Sequence, residues 1–199
     1  MTKSTDMIDI AFNLQGGYVP ASYPFALWQE IVRCLPWLNE TQSAGMLPLR
    51  GSVSGGGLLL PQRARLVLRL PAALAPQAEL LSGQKLSVEF SVLSVGEARL
   101  LPLQPHPTLH AQLVASMEEE EVFLAGIAHQ LSEMGISCKW ICGKRHTIAD
   151  AAHSISGYSL VLHDLKPDRS LQLQRTGLGE ERRFGCGIFV PYKAITGLD

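Results

Sequence analysis

Between Met7 and Leu14 the apolar residues Ile8, Ile10, Phe12 and Leu14 fall at every second position. That is the period of a half-buried strand, and Gln15, Gly16 and Gly17 end it. From Pro24 to Leu38 the period changes: Phe25, Leu27, Trp28, Ile31, Val32, Leu35 and Trp37 recur at helical spacing. Pro24 fits the first turn of that helix, where the missing N–H has no helical partner. A glycine-bearing stretch, residues 45–57, leads to ARLVLRL, an apolar strand flanked by Arg65 and Arg69. PAALAPQAELL predicts a short second helix with Pro71 at its start, and KLSVEFSVLSVG predicts one further alternating strand. The first half reads β-α-β-β-α-β.

Pro102, Pro105 and Pro107 interrupt the pattern and predict a linker, dividing the chain into modules 1–104 and 105–199. TLHAQLVAS restarts as a strand with Leu109, Ala111, Leu113 and Ala115 on one face. Ser116 then precedes the acidic run Glu118 to Glu121 and the apolar positions Val122, Phe123, Ile127, Leu131 and Met134, a helix closed by Gly135. Carboxylates in a first turn complement the partial positive charge of a helix N-terminus, so this run reads as structural. ISCKWICG and GYSLVLHDL follow as strands, SLQLQRT as a short helix from near Ser170, and CGIFVPY as the last strand. Two successive β-α-β-β-α-β units predict an α+β protein of two tandem ferredoxin-like modules; one larger α+β domain is the alternative.

The chain has 199 residues, 46% of them hydrophobic and 18% charged, which suits a folded globular protein and excludes a disordered one. A formal net charge of −1 gives no overall attraction to nucleic acid or membrane. Any polyanion site must come from local clustering of the 17 Lys and Arg, and they cluster in the C-terminal half. No apolar run reaches spanning length, and MTKSTDMIDI lacks the apolar core of a signal peptide, so a cytoplasmic protein without membrane contact is expected. Four scattered cysteines do not make a disulfide scaffold. Cys138, Cys142 and His146 lie at C-x3-C-x3-H spacing, which lacks a fourth ligand, so buried thiols and no metal are expected.

The stretch GLGEERRFGCGIFVPYK, residues 177–193, sets Gly177, Gly179, Gly185 and Gly187 around Arg182 and Arg183. Glycines permit positive φ and can expose N–H groups to a phosphate, while the two guanidinium groups supply forked donors to the same oxygens. An anion-binding loop is one reading; a glycine-rich turn with two solvated arginines is the other. No GxxxxGK[ST] is present, and the loop follows a helix where a dinucleotide fingerprint needs a strand.

That stretch resembles the C-terminal signature of the repeat-processing endoribonucleases of CRISPR systems. These form the sixth Cas protein family within the RAMP superfamily of duplicated ferredoxin-like proteins. The signature S-x-x-L-Q-x-x-G-L-G-x-x-R-R-x-G-C-G-x-F-x-P is met from Ser170 through Pro191. IDIAFNLQG, VPASYPFALWQEIVRCLPWL, GMLPLRG, RLVLRLP and PTLHAQLVAS resemble earlier segments of the family in the same order, closest to its short variant from some type I systems.

The resemblance implies cleavage of a CRISPR precursor transcript within each repeat, without metal or cofactor. The 2′-hydroxyl is the nucleophile, and the products carry a 2′,3′-cyclic phosphate and a 5′-hydroxyl. It also implies retention on the 3′ stem-loop of the guide RNA as a subunit of a type I effector complex, beside its backbone subunits. The chemistry asks for a base, an acid and cations around the phosphorane. Members usually carry a histidine where Tyr23 stands. Either Tyr23 orients the nucleophile while another residue moves the proton, or the protein binds RNA and cuts slowly or not at all. His146, beside Lys144 and Arg145 in a loop-like basic patch, and His153 are the other catalytic candidates, since imidazole titrates nearest neutrality. For RNA affinity the candidates are Lys144, Arg145, Arg175, Arg182, Arg183 and Lys193 with the four glycines, and the acidic helix is expected to face away from them. His110 and His163 read as structural, and Trp28 and Trp37 as helix core.

Overall fold

Alternation builds the first sheet. In the computed structural model, which describes residues 6–192, β1 (Met7–Gln15) buries Ile10, Phe12 and Leu14, and β2 (Tyr18–Pro20) follows. Helix α1 (Tyr23–Cys34) buries Leu27, Trp28 and Ile31. It ends four residues before Leu38, because Pro36 has no N–H to continue it, and Pro36–Glu40 form a 3-10 turn. The glycine-bearing stretch supplies three short strands: β3 (Gly45–Met46), β4 (Ser52–Ser54) and β5 (Gly57–Leu59). Then come β6 (Ala64–Pro71) and α2 (Ala75–Ala78), which is only four residues long between two 3-10 turns. KLSVEFSVLSVG is not one strand but a hairpin of β7 (Lys85–Val88) and β8 (Ser91–Pro102), turned at Glu89 with φ 53°.

The first unit holds the described residues through Leu103 together with Ile148–Ile155 and Glu181–Gly185. Its main sheet is antiparallel in the order β3-β6-β1-β8-β7, and β2-β5-β4 make a small second sheet. One face of the main sheet packs Ile10, Phe12, Leu66, Leu68 and Leu70 into a core with α1. On the other face Asp9, buried but for 14% of its side chain, accepts two bonds from the guanidinium of Arg69, at 2.7 and 2.9 Å. The Arg69 side chain is 1% exposed.

The second unit holds Gln104–Thr147, Ser156–Glu180 and the described residues from Cys186 onward. It runs β9 (Leu109–Ala115), α3 (Glu120–Glu133), β10 (Lys139–Ala149), β11 (Ser154–His163), α4 (Pro167–Thr176) and β12 (Val190–Pro191). The sheet order is β10-β11-β9-β12, the ferredoxin-like arrangement that the sequence predicts. Phe123, Ile127 and Leu131 of α3 pack with Leu109, Ala111, Leu160, Leu162, Leu173 and Phe189. Glu120 and Glu121 lie in the first turn of α3, and Gly135, φ 66°, follows its end. Cys138 and Cys142 pack against this core, and burial pushes both thiols up. No helix among the described residues is long and apolar enough to cross a membrane.

Candidate active site

The tip between β10 and β11, Ile148–Ile155, and the short turn Glu181–Gly185 both make their contacts in the first unit, and they carry its most distinctive chemistry. Asp150 organises the tip. Its Oδ1 accepts the backbone N–H of Ala152 at 2.7 Å and of His153 at 2.6 Å, and its carboxylate lies 3.1 to 3.2 Å from Nδ1 of His153. Burial works against the charged carboxylate. The backbone N–H of Ala152, the ring and the N–H of His153 outweigh it and hold Asp150 below the usual carboxylate range. A depressed carboxyl stabilises the folded tip at pH values above its unfolded pKa, and that contribution is lost as pH falls through the folded value. The tip is therefore fully held at neutral pH.

The imidazole of His153 stacks on Phe25 of α1, ring centroids 5.1 Å apart at 17°. Phe184 meets Phe25 edge-on at 4.9 Å. These rings, with Asn39 and Arg183, line an open cavity of ≈ 220 Å³. Glu181 adopts a left-handed φ of 61°, and the turn Arg182–Phe184 that follows sends its two arginines in different directions. Arg183 is exposed, with Nε 3.0 Å from Glu181 and its guanidinium 4.8 Å over the Phe184 ring. Arg182 is turned inward. Burial first, and the Arg69 cation second, push it down to about 10, with Asp9 opposing. Arg182 is thus largely withdrawn from solvent and feels the charges of both Arg69 and Asp9.

The four loop glycines all have positive φ. The sequence leaves their N–H groups available to an anion, but three of them are engaged within the protein. Gly177 donates to Leu173 at 2.8 Å, Gly185 to Arg182 at 2.9 Å and Gly187 to Leu113 at 2.7 Å. At Gly187 a Cβ would also fall inside the carbonyl oxygen of Leu178, so the glycine there is required by the chain's own packing. Gly187→Ala is expected to cost about 2 kcal/mol or more and to lower Tm by about 4 °C or more in a thermal melt.

Tyr23, where the family's histidine stands, is 8% exposed in the core of the first unit, and its hydroxyl accepts the N–H of Leu49 at 2.8 Å. In the second unit, His146 is half-buried within β10, not in a loop. Arg145 reaches back to Glu119 at 3.3 Å and to the Met117 carbonyl at 3.1 Å. The residues leading into the acidic helix therefore meet this basic segment instead of facing away from it, because opposite charges flank neighbouring elements. Lys144 is exposed. Arg175 is half-buried in the last turn of α4, where a cation complements the helix C-terminus. Gly179 is exposed beside Val114. Lys193 lies outside the described residues.

Asp150 and Phe25 were not singled out in the sequence. The signal for Asp150 is D-x-x-H at a strand-to-strand turn, a spacing that lets one carboxylate cap the turn and hold the ring. Phe25 carries no signal apart from the helix period, because which element's ring it meets is decided by tertiary packing.

A family model described as Cas6, Cas6 Crispr, matches residues 8–194. A CRISPR-associated endonuclease Cas6 of Myxococcus xanthus (strain DK1622) is 32% identical over 186 residues, covering 92% of this chain and 81% of that protein. Among solved structures, the product of a Cas6-related gene from Pyrococcus furiosus matches with TM-score 0.67 at 12% identity over 92% of this chain and 98% of its own. A RAMP protein binding different RNA substrates matches with TM-score 0.69 at 11% identity, over the same shares. At such identities these two likenesses speak for the fold alone.

Proposed function

Because the chain belongs to the Cas6 family of CRISPR RNA-processing endoribonucleases, we propose that it cleaves a CRISPR precursor transcript within the repeat by attack of a 2′-hydroxyl, without a metal. His153 moves the proton and Arg183 sits beside the phosphate. The observation that carries this is the Asp150-held imidazole next to an exposed guanidinium at one open cavity. With Nδ1–H donated to Asp150, Nε2 keeps its lone pair and takes the proton of the 2′-hydroxyl. The 2′-oxygen then bonds to phosphorus and the bond to the 5′-oxygen breaks. That oxygen takes a proton from water, whose hydroxide takes back the proton held by His153, leaving a 2′,3′-cyclic phosphate, a 5′-hydroxyl and the neutral imidazole. Arg183 offsets the charge that builds on the phosphorane oxygens. The protein then remains on the 3′ stem-loop of the guide, in a complex with type I backbone subunits.

A second reading, a guide-RNA hairpin-binding subunit that does not cut, is favoured by one observation: Tyr23, at the family's histidine position, is buried with its hydroxyl on Leu49. Incubating the protein with its cognate repeat RNA in excess EDTA separates the two. The enzyme yields a cyclic-phosphate product, and the scaffold retains intact RNA. Arg183→Ala is expected to weaken RNA binding across sequences and to lower the log–log salt slope by about 1 in filter-binding titrations. An unchanged slope would remove Arg183 from the site.

A further inference from the structure

The unit-one sheet carries a second polar cavity, of ≈ 260 Å³, lined by Ala11, Asn13, Arg65, Glu97, Ala98 and Arg99. Three adjacent strands build it. Asn13 of β1 stands opposite Arg65 of β6, and Ala11 stands opposite Arg99 of β8. Between Phe12 and Leu14 the β1–β8 register slips by one residue. Glu97, next to that bulge and two residues before Arg99 on β8, lines the same cavity by the alternation of the strand. Ala11, opposite Arg99, keeps the floor low.

Arg65 and Arg99 are exposed, and neither makes an ion pair among the described residues although Glu97 lines the same cavity. Two cations left over on a sheet face, beside one carboxylate and one amide, suit a ligand that brings two anions and a hydrogen-bonding edge. The volume lies below the roughly 300–1,000 Å³ of drug-sized pockets and suits a nucleotide unit. From strand spacing and register, the two arginines stand about 12 Å apart at Cα. That separation lets each take a different phosphate of one chain.

Position along β1 fixes the direction of that chain. The Arg182–Phe184 turn packs on β3, whose Gly45 is opposite Arg69; Arg69 is opposite Asp9, which is four residues from Asn13 on the same face, about 13 Å away. The turn bearing Arg182 and Arg183 packs on both α1 and β3 at the edge of the sheet, so a strand that leaves the cleavage site and rounds this turn onto the open face reaches the cavity within a few nucleotides. We infer that this cavity binds the single-stranded RNA flanking the repeat stem-loop, Arg65 and Arg99 holding consecutive phosphates and Asn13 and Glu97 meeting a base edge. Glu97 accepts from an exocyclic amine, as carboxylates do from cytosine. This rests on the RNA-processing reading above.

The test compares two forms of the cognate repeat RNA, the repeat with its single-stranded flanks and the bare stem-loop, using the parent and Arg65→Ala with Arg99→Ala. The double variant is expected to bind the flanked RNA about ten- to a hundredfold more weakly. Its log–log salt slope should fall by about 1.4, as for two single-strand phosphates. Affinity for the bare stem-loop and its cleavage should stay at parent values. Unchanged affinity for the flanked RNA would overturn the site, and so would an equal loss on both RNAs. Competition by free cytidine monophosphate at the same phosphate concentration would also overturn it, by pointing to a mononucleotide pocket. A parent that cuts neither RNA but still prefers the flanked one would sink the nuclease reading and leave this site standing.

Discussion

His153→Ala is expected to lower the single-turnover rate of repeat cleavage about 10²–10⁴-fold while leaving RNA affinity near the parent value. The size is what general acid–base catalysis contributes, and the separation of rate from affinity follows from geometry. On the proposed assignment phosphate contact falls to Arg183 and other cations, whereas His153, held by Asp150 at the same cavity, supplies a nitrogen that can accept a proton. Loss of a merely structural ring would lower stability and binding together. Imidazole added to the reaction should restore part of the rate in the alanine variant, because the deletion enlarges an already open cavity. Asp150→Asn should give a smaller loss and shift the acidic limb of the pH–rate profile, since a neutral amide holds the ring less firmly in the tautomer with Nδ1–H. Cleavage by His153→Ala at the parental rate would move the proton transfer to another residue.

Asp9→Asn is expected to be the most destabilising single change on the sheet's open face, at about 3–5 kcal/mol in urea denaturation. Asp9 is the carboxylate that accepts from Nε and Nη2 of Arg69, whose side chain is almost wholly out of water, and its charge also favours Arg182. Without it, two buried cations confront each other. Removing one partner of a buried pair leaves the full desolvation cost of the other, so the loss exceeds what the pair contributes over an apolar substitute. Replacing Asp9 and Arg69 together by leucine and methionine should recover most of the stability. The Arg182–Phe184 turn should loosen in Asp9→Asn, lowering cleavage through Arg183 even where the protein remains folded. A loss under about 1 kcal/mol would mean that water reaches the pair.

The elements with long, regular patterns were legible in the chain. Ile8 to Leu14 and Leu109 to Leu113 alternate and are strands; Phe123, Ile127 and Leu131 repeat at helical spacing and form one buried face. The departures have local causes. Pro36 cut α1 short, Glu89 turned one apparent strand into a hairpin, and β10 extended through Lys144, Arg145 and His146, where polar composition alone looked like a loop. An exposed strand reads as a loop because its burial signal is missing on both faces.

By itself the sequence determined the β-α-β-β-α-β order of the second half, the glycine and arginine signature from Ser170 to Pro191, and the family that this signature marks. Those depend on local period, on φ values only glycine adopts easily, and on residue order. Tertiary structure alone decided what the signature's arginines do: one turns in toward Asp9 and Arg69, the other out to a histidine on a distant hairpin tip. Adjacent side chains carry no sign of which will be buried, because that depends on the charge and space offered by strands more than a hundred residues away.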